Sequence, residues 1–260
     1  MLTTTASFQL ISRDLQRSLD TTATQPQVSR ESAYYLENIT SVKSVDDFIG
    51  NDRVFAFAMK AFGLEDMTYA KAYMKKVLKE GVDDQQSFAN QITDVRFREF
   101  AEAFNFERYG ETATAFDRTQ SGTVDRYVRQ TLEESAGADN QGVRLALYFQ
   151  RKVGEIENAF DILGDRALLQ VARTALGLSE QIATLDIDKQ AELLGDRLDI
   201  ESLSDPAELE QFLNRFTTLW ELENPTAPPT VPNVLAARPT VYGIGPDLLL
   251  NLASLNRGGR

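Results

Sequence analysis

The sequence predicts an all-α protein, built as two related multi-helix halves packed as one body and followed by an extended proline-rich C-terminal arm. Three observations lead there. Helix start and stop signals recur through most of the chain, while alternating apolar and polar runs bounded by hairpin turns are nearly missing. A nineteen-residue pattern returns at an offset of 114 residues. Five of the eight prolines crowd into 224–240, a composition no regular helix tolerates.

The elements follow in order. Residues 1–30 form an N-terminal helical or flexible segment with Phe8, Ile11, Leu15 and Leu19 as its apolar positions. The first half is expected over 31–140. Within it, Ser44 and Asp47 have the spacing of a capping box, and one helix is expected to run from there to Gly63, a residue suited to a left-handed stop. A helix over 68–80 ends before Gly81 and places Tyr69, Ala72, Met74 and Leu78 on its apolar side.

The second half is expected over 141–223. It opens with a long helix over 142–163 that carries Val143, Leu147, Val153, Ile156 and Phe160. The clearest start signal is "SDPAELEQFLNRFTTLWELEN": Asp205 caps, Pro206 takes the first helical position, and Glu208 completes the box. Leu209, Phe212, Leu213, Phe216 and Leu219 then share one stripe. Residues 224–260 are the arm and a C-terminal apolar segment that must dock on the body or on a partner.

The repeat aligns "DDFIGNDRVFAFAMKAFGL" with "FDILGDRALLQVARTALGL", identical at six of nineteen positions, where unrelated segments would share about one. It suggests two related halves meeting near Asn140. The alternative is convergence, because helix-ending Gly-Leu and amphipathic spacing are degenerate signals.

Composition excludes more than any motif asserts. With 39 acidic against 27 basic side chains, the net charge of -12 repels a polyanion, so nucleic acid is not an expected partner. No stretch approaches the eighteen or so uninterrupted apolar residues of a membrane helix, and the start lacks the basic and apolar regions of a secretory signal. Cysteine and histidine are both absent. Their absence rules out disulfides, Ser-His-Asp triads, Cys-His dyads, His/Cys zinc sites and histidine-ligated haem. What remains is carboxylate, lysine and tyrosine chemistry, or hard cations held by oxygen.

The stretch "AFDRTQSGTVDRYV" imitates a calcium loop, with Asp117, Thr119, Ser121, Gly122, Thr123 and Asp125 at positions 1, 3, 5, 6, 7 and 9. Position 12, which needs a bidentate glutamate, is Val128. A helix entry explains these residues better: Thr123 as N-cap, Asp125 in the first turn, and Val124, Tyr127, Val128 and Leu132 as the buried face. Acidic pairs at Glu65-Asp66, Asp83-Asp84, Glu133-Glu134 and Asp186 with Asp188 lie, on this view, at helix starts or in polar connections where acids are ordinary. No catalytic residue, cofactor site or metal site is assigned.

Two surfaces are candidates for partner binding. Lys71, Lys75, Lys76 and Lys79 make one basic face, suited to an acidic partner or a second copy, with a solvated helix face as the simpler explanation. Leu248, Leu249, Leu250, Leu252 and Leu255 make the C-terminal apolar patch.

At "ESAYYLENI", "SVDDFIGNDRVFAFAMKAFGLEDMTYAKAYMKKVLKEGV", "SFANQITDVRFREFAEAFNF", "VRLALYFQRK" and "LNRFTTLWE" the chain resembles the domain-of-unknown-function 1217 family, over 8–223. Members are often encoded among bacterial flagellar genes, so the resemblance implies a role in flagellar structure or assembly; it supplies no active-site residues. The acidic, cysteine-free composition and a polar, weakly helical start also resemble flagellar export substrates, whose terminal apolar helical positions pack against neighbouring subunits. The expectation is a non-enzymatic protein working through protein contacts with flagellar components or itself, flagellum-associated or cytoplasmic. The rivals are a carboxylate enzyme on a helical scaffold, with or without magnesium, and a degenerate calcium module.

Overall fold

Side-chain caps cut this chain into short helices, and their placement sets the architecture. The computed structural model describes residues 2–225. Among them the order is α1 (Thr4–Ser12), α2 (Leu15–Ala23), α3 (Pro26–Ile39), α4 (Val45–Gly50), α5 (Asp52–Ala61), α6 (Lys71–Glu80), α7 (Phe88–Gln91) and α8 (Val95–Ala103). There follow α9 (Phe106–Tyr109), α10 (Ser121–Asp139), α11 (Gln141–Lys152), α12 (Ala159–Gly164), α13 (Arg166–Leu176), α14 (Ile187–Gly195) and α15 (Pro206–Glu223). Short 3₁₀ turns make several of the links, and the described residues contain no strand. The fold is all-α. The proline-rich arm and Leu248, Leu249, Leu250, Leu252 and Leu255 lie outside the described residues.

Two expected long helices are each two. At Asn51 the side chain accepts from the Val54 amide at 3.2 Å, starting α5 afresh instead of letting α4 run on to Gly63. Ser44 does cap α4 through the Asp47 amide, but the Asp47 carboxylate takes the Lys43 amide and so does not close the box on Ser44. The 142–163 helix stops at Lys152, because Asn158 and Asp161 form a reciprocal capping box that nucleates α12. Phe160 is thereby turned outward and is 50% exposed, off the stripe assigned to it.

Other boundaries hold. Asp205 caps α15 through the Ala207 amide at 2.8 Å with Pro206 at the first position, and Gly81 stops α6 at a positive φ of 61°. That helix begins at Lys71, three residues late, since 65–67 is a 3₁₀ turn; Tyr69 therefore falls outside it and is 81% exposed. Only Met74 and Leu78 of the expected apolar side are buried.

The calcium-like stretch is a helix entry, entered differently from expectation. The helix α10 begins at Ser121, so Thr123 lies inside it, and its hydroxyl donates to the Arg118 carbonyl at 3.0 Å instead of capping. Asp125 is consequently past the first turn. The Thr119 hydroxyl donates inward to the Phe116 carbonyl at 2.8 Å, and the Ser121 hydroxyl donates to the Asp117 carboxylate. Tyr127, Val128 and Leu132 are buried as expected, and Val124 partly so.

Two apolar clusters make the core of the single unit formed by Met1–Thr226. The first gathers α3 to α9 around Phe48, whose ring meets Phe55, Phe100, Phe104 and Phe106 at centroid distances of 4.7–6.1 Å. Each such burial stabilises by roughly 1.5–3 kcal/mol, with about 0.5–1.5 more for a well-oriented ring pair. Tyr35 ties this cluster to the entry of α10 by donating to the Thr119 carbonyl at 2.6 Å. The second cluster gathers α11 to α15 around Phe149 and Phe216.

Phe8 of α1 is buried in the second cluster, against α11 and α15. It is a core residue of its own chain and so is not among the terminal apolar positions open to a neighbouring subunit. Helix α10 packs on α2 and α5 and also on α11, joining the clusters. At the 114-residue offset α4 recurs end to end in α12 and the start of α5 recurs in α13, which runs one residue longer, with capping residues Asn51 and Asp165 and positive-φ glycines Gly63 and Gly177 in register.

Candidate functional site

The lysine face does not stand free. The Lys71 ammonium pairs with Asp52 and that of Lys75 with Asp46, while Lys79 reaches Asp46 at 3.7 Å. Lys76 reaches Glu80 at 3.8 Å and lies over the Phe88 ring at 4.1 Å. All four cations therefore have an acid within their own chain, and three of them join α6 to α4 and α5.

A concave region lies elsewhere, between α8, α10, α11 and α13, with a cavity of about 560 Å³. Arginines from all four helices reach it: Arg96, Arg126, Arg144, Arg151 and Arg166, joined by Lys152. Four acids line it as well: Asp94, Glu99, Glu133 and Asp165. This basic excess on an acidic chain is assembled from positions scattered through 94–166.

Glu133 is the hub. It sits in the middle of α10, neither at a helix start nor in a connection, and is only 1% exposed. Arg129 Nε donates to its Oε1 at 2.9 Å, and Arg151 donates to both oxygens at 2.8 and 3.0 Å. Glu134, one residue on, faces away and pairs with Lys60 at 2.8 Å. Buried Lys152 bridges Glu99 and Glu155, its bond to Glu155 being 2.7 Å.

The remaining acids are also committed. Asp165 caps α13 by accepting from the Ala167 and Leu168 amides at 2.8 and 3.1 Å, and it accepts the Tyr148 hydroxyl at 2.6 Å. Burial, and then the Asp165 carboxylate, pushes the Tyr148 phenol far up, so it serves as a hydrogen-bond donor and not as a base. At Asp94 burial raises the carboxyl, but the side-chain and backbone hydrogen bonds from Arg96 outweigh it and hold the group low. Arg96 also donates to the Gly63 carbonyl, clamping the glycine stop of α5 to the cavity wall.

The other acidic pairs take ordinary structural parts. Asp186 caps α14 through the Asp188 amide at 3.0 Å, Asp83 accepts from Asn105 at 3.1 Å, Asp84 accepts from the Gln86 amide at 2.8 Å, and Glu65 lies 3.7 Å from Lys60. Among the described residues no group of three or more acidic side chains is placed to hold a metal ion, and no helix is long and apolar enough to cross a membrane.

The cavity region lies within 61–209, the residues matched by the family model described as protein of unknown function (DUF1217). That match spans more than half of the chain. The chain belongs to the DUF1217 family. A crystal structure of a protein from Agrobacterium tumefaciens, a structural genomics target, is similar to this DUF1217 chain at 48% identity. The likeness covers 85% of this chain and 94% of that one with a TM-score of 0.79, so the helical arrangement is shared across most of both. No curated protein matches the chain.

Sequence reasoning missed Arg96, Arg126, Arg144, Tyr148, Arg151 and Arg166 as a group. The only signal was an excess of arginines near helix starts, on elements whose juxtaposition no local pattern encodes.

Proposed function

We propose that this DUF1217 protein is a non-enzymatic helical component or assembly factor of the bacterial flagellum, acting through protein contacts. The observation that carries the non-enzymatic part is the state of the cavity acids: each is already engaged by arginine, lysine, tyrosine or a helix amide. Acid–base catalysis by paired carboxylates needs one free acid with a raised pKa beside a free base. The carboxylates whose ionisation departs from the ordinary range, Glu31, Asp46 and Asp94, are all held low by cations. With histidine and cysteine absent, neither an imidazole base nor a thiol nucleophile takes their place.

The flagellar part rests on the gene neighbourhood typical of the family. Exposed Leu10, Tyr69, Phe160, Ile187 and Leu222 give the surface apolar side chains that a protein partner can cover. Deleting the gene in a flagellated host is expected to impair motility or leave incomplete hook-basal bodies. Normal swimming with normal basal bodies overturns the proposal. Immunoblotting of purified hook-basal bodies then separates a component, which co-purifies, from an assembly factor, which stays in the cytosolic fraction.

A further inference from the structure

We propose that the cavity between α8, α10, α11 and α13 binds a small phosphate-bearing molecule, with Arg144 and Arg166 as its principal anchors. Its volume of about 560 Å³ falls within the roughly 300–1,000 Å³ of small-molecule sites. Six cationic side chains face four acidic ones there, on a chain whose net charge is -12. Such local reversal focuses potential on a concave surface and draws in a small anion, while the acidic exterior repels a nucleic-acid strand.

The pairing pattern singles out the anchors. Arg96 is taken by Asp94, Arg151 by Glu133 and Lys152 by Glu99 and Glu155, and Arg126 lies 3.9 Å from Glu99. Arg144 and Arg166 make no ion pair among the described residues. Their guanidinium donors remain available for an incoming anion, and the planar fork suits phosphate oxygens two at a time.

Backbone electrostatics act in the same direction. The N-terminal turns of α8, α11 and α13 all open on the cavity, and Arg96, Arg144 and Arg166 lie within the first four residues of these helices. A helix start disfavours a cation by about 0.3–1 kcal/mol; a carboxylate cap offsets this at α8 and α13, whereas α11 is capped by the neutral Asn140, so Arg144 has no anion beside it. Asp94 and Asp165 cap two of the three starts, but Arg96 engages Asp94 and Tyr148 engages Asp165. Phe62, Leu145 and Tyr148 add apolar and aromatic surface to the lining, which suits an organic phosphate better than a bare ion.

Pyrophosphate is the probe for calorimetric titration of the full chain, with citrate at matched ionic strength as the polycarboxylate comparison. The expected result is saturable pyrophosphate binding, at least about tenfold weaker in Arg144→Gln/Arg166→Gln, since two charge-assisted bonds are lost. Arg166→Gln alone gives a second measure that does not depend on how Arg144 packs against Gly137: its side chain is exposed, so the fold is retained, and binding should weaken severalfold. Lys189→Gln, on exposed α14 surface, should bind as the unaltered protein does. Absence of saturable binding at millimolar pyrophosphate, binding unchanged by the arginine substitutions, or tighter binding of citrate than of pyrophosphate each overturns the proposal. None of these outcomes bears on the flagellar assignment, which motility tests separately.

Discussion

Gly142 lies directly against the indole of Trp220: a β-carbon on Gly142 would stand 2.3 Å from Trp220 Cδ1 and 2.8 Å from Thr4 Cγ2. Three helices meet at this point. Asn140, which caps α11 through the Gly142 amide at 2.9 Å, also donates to the Thr4 hydroxyl at 2.8 Å, and the Thr4 amide donates to Glu221 Oε2 at 2.8 Å. The contact closes the N-terminal helix onto the last described one.

Gly142→Ala should therefore destabilise the protein, although alanine normally favours a helix by about 1 kcal/mol over glycine. Overpacking of a tight site costs roughly 1–3 kcal/mol, and here the clash falls on a largely buried ring. The urea midpoint is expected to fall, with loss of tryptophan fluorescence anisotropy as Trp220 is displaced. A midpoint that rises would mean the indole moves aside at no cost.

Glu133→Gln tests the hub of the cavity. It keeps the shape and removes the charge that two arginines share, leaving Arg151 and Arg129 in a partly dry site without their acid. Breaking a buried ion pair from one side costs about 3–5 kcal/mol. A loss of that order in chemical unfolding is expected, against little or no change for Asp46→Asn at the exposed lysine seam.

These contrasts explain what the sequence carried and what it did not. Starts and stops written in one or two residues, Asp205-Pro206 or Gly81, are visible because the cap needs only its own helix. The breaks at Asn51 and Asn158 carry the same chemistry, yet an apolar pattern running through them hid it. Thr123 looked like a cap because threonine serves both as a cap and as an inward donor, and only the position of the Arg118 carbonyl decides between them. The cavity was the least legible part: Glu133 meets Arg151 eighteen residues away, and Lys152 meets Glu99 fifty-three residues away. No local periodicity encodes such pairs.

Asp94 gives an acid-limb prediction with a definite sign. Its folded pKa is depressed, so the unfolded chain binds the proton first, and the stabilisation is fully present above the unfolded pKa of about 3.9. It is lost as pH falls through the lower folded value. Asp94→Asn retains a capping side chain while removing the charge. The variant should be less stable than the unaltered protein at pH 7, and urea midpoints of the two should converge as pH falls through the depressed folded value. A gap that stays constant across this range would assign the difference to geometry instead of charge.

Gly177 and Gly164 offer the same substitution with opposite expected signs. Around neither would a β-carbon meet an atom within 4 Å, so packing drops out and only backbone conformation remains. Gly177 ends α13 at φ 64°, ψ 33°, a left-handed stop that matches Gly63 at φ 70° after α5. An alanine there carries a β-carbon into the left-handed region, at a cost of about 1–2 kcal/mol. Gly164 closes α12 without a positive φ, and alanine should stabilise it by up to about 1 kcal/mol through helix propensity and a less flexible unfolded chain. Thermal unfolding of Gly177→Ala and Gly164→Ala should therefore shift in opposite directions. A parallel shift would show that the stop after α13 does not depend on the left-handed glycine, and would remove the physical reason for finding glycine at both 63 and 177.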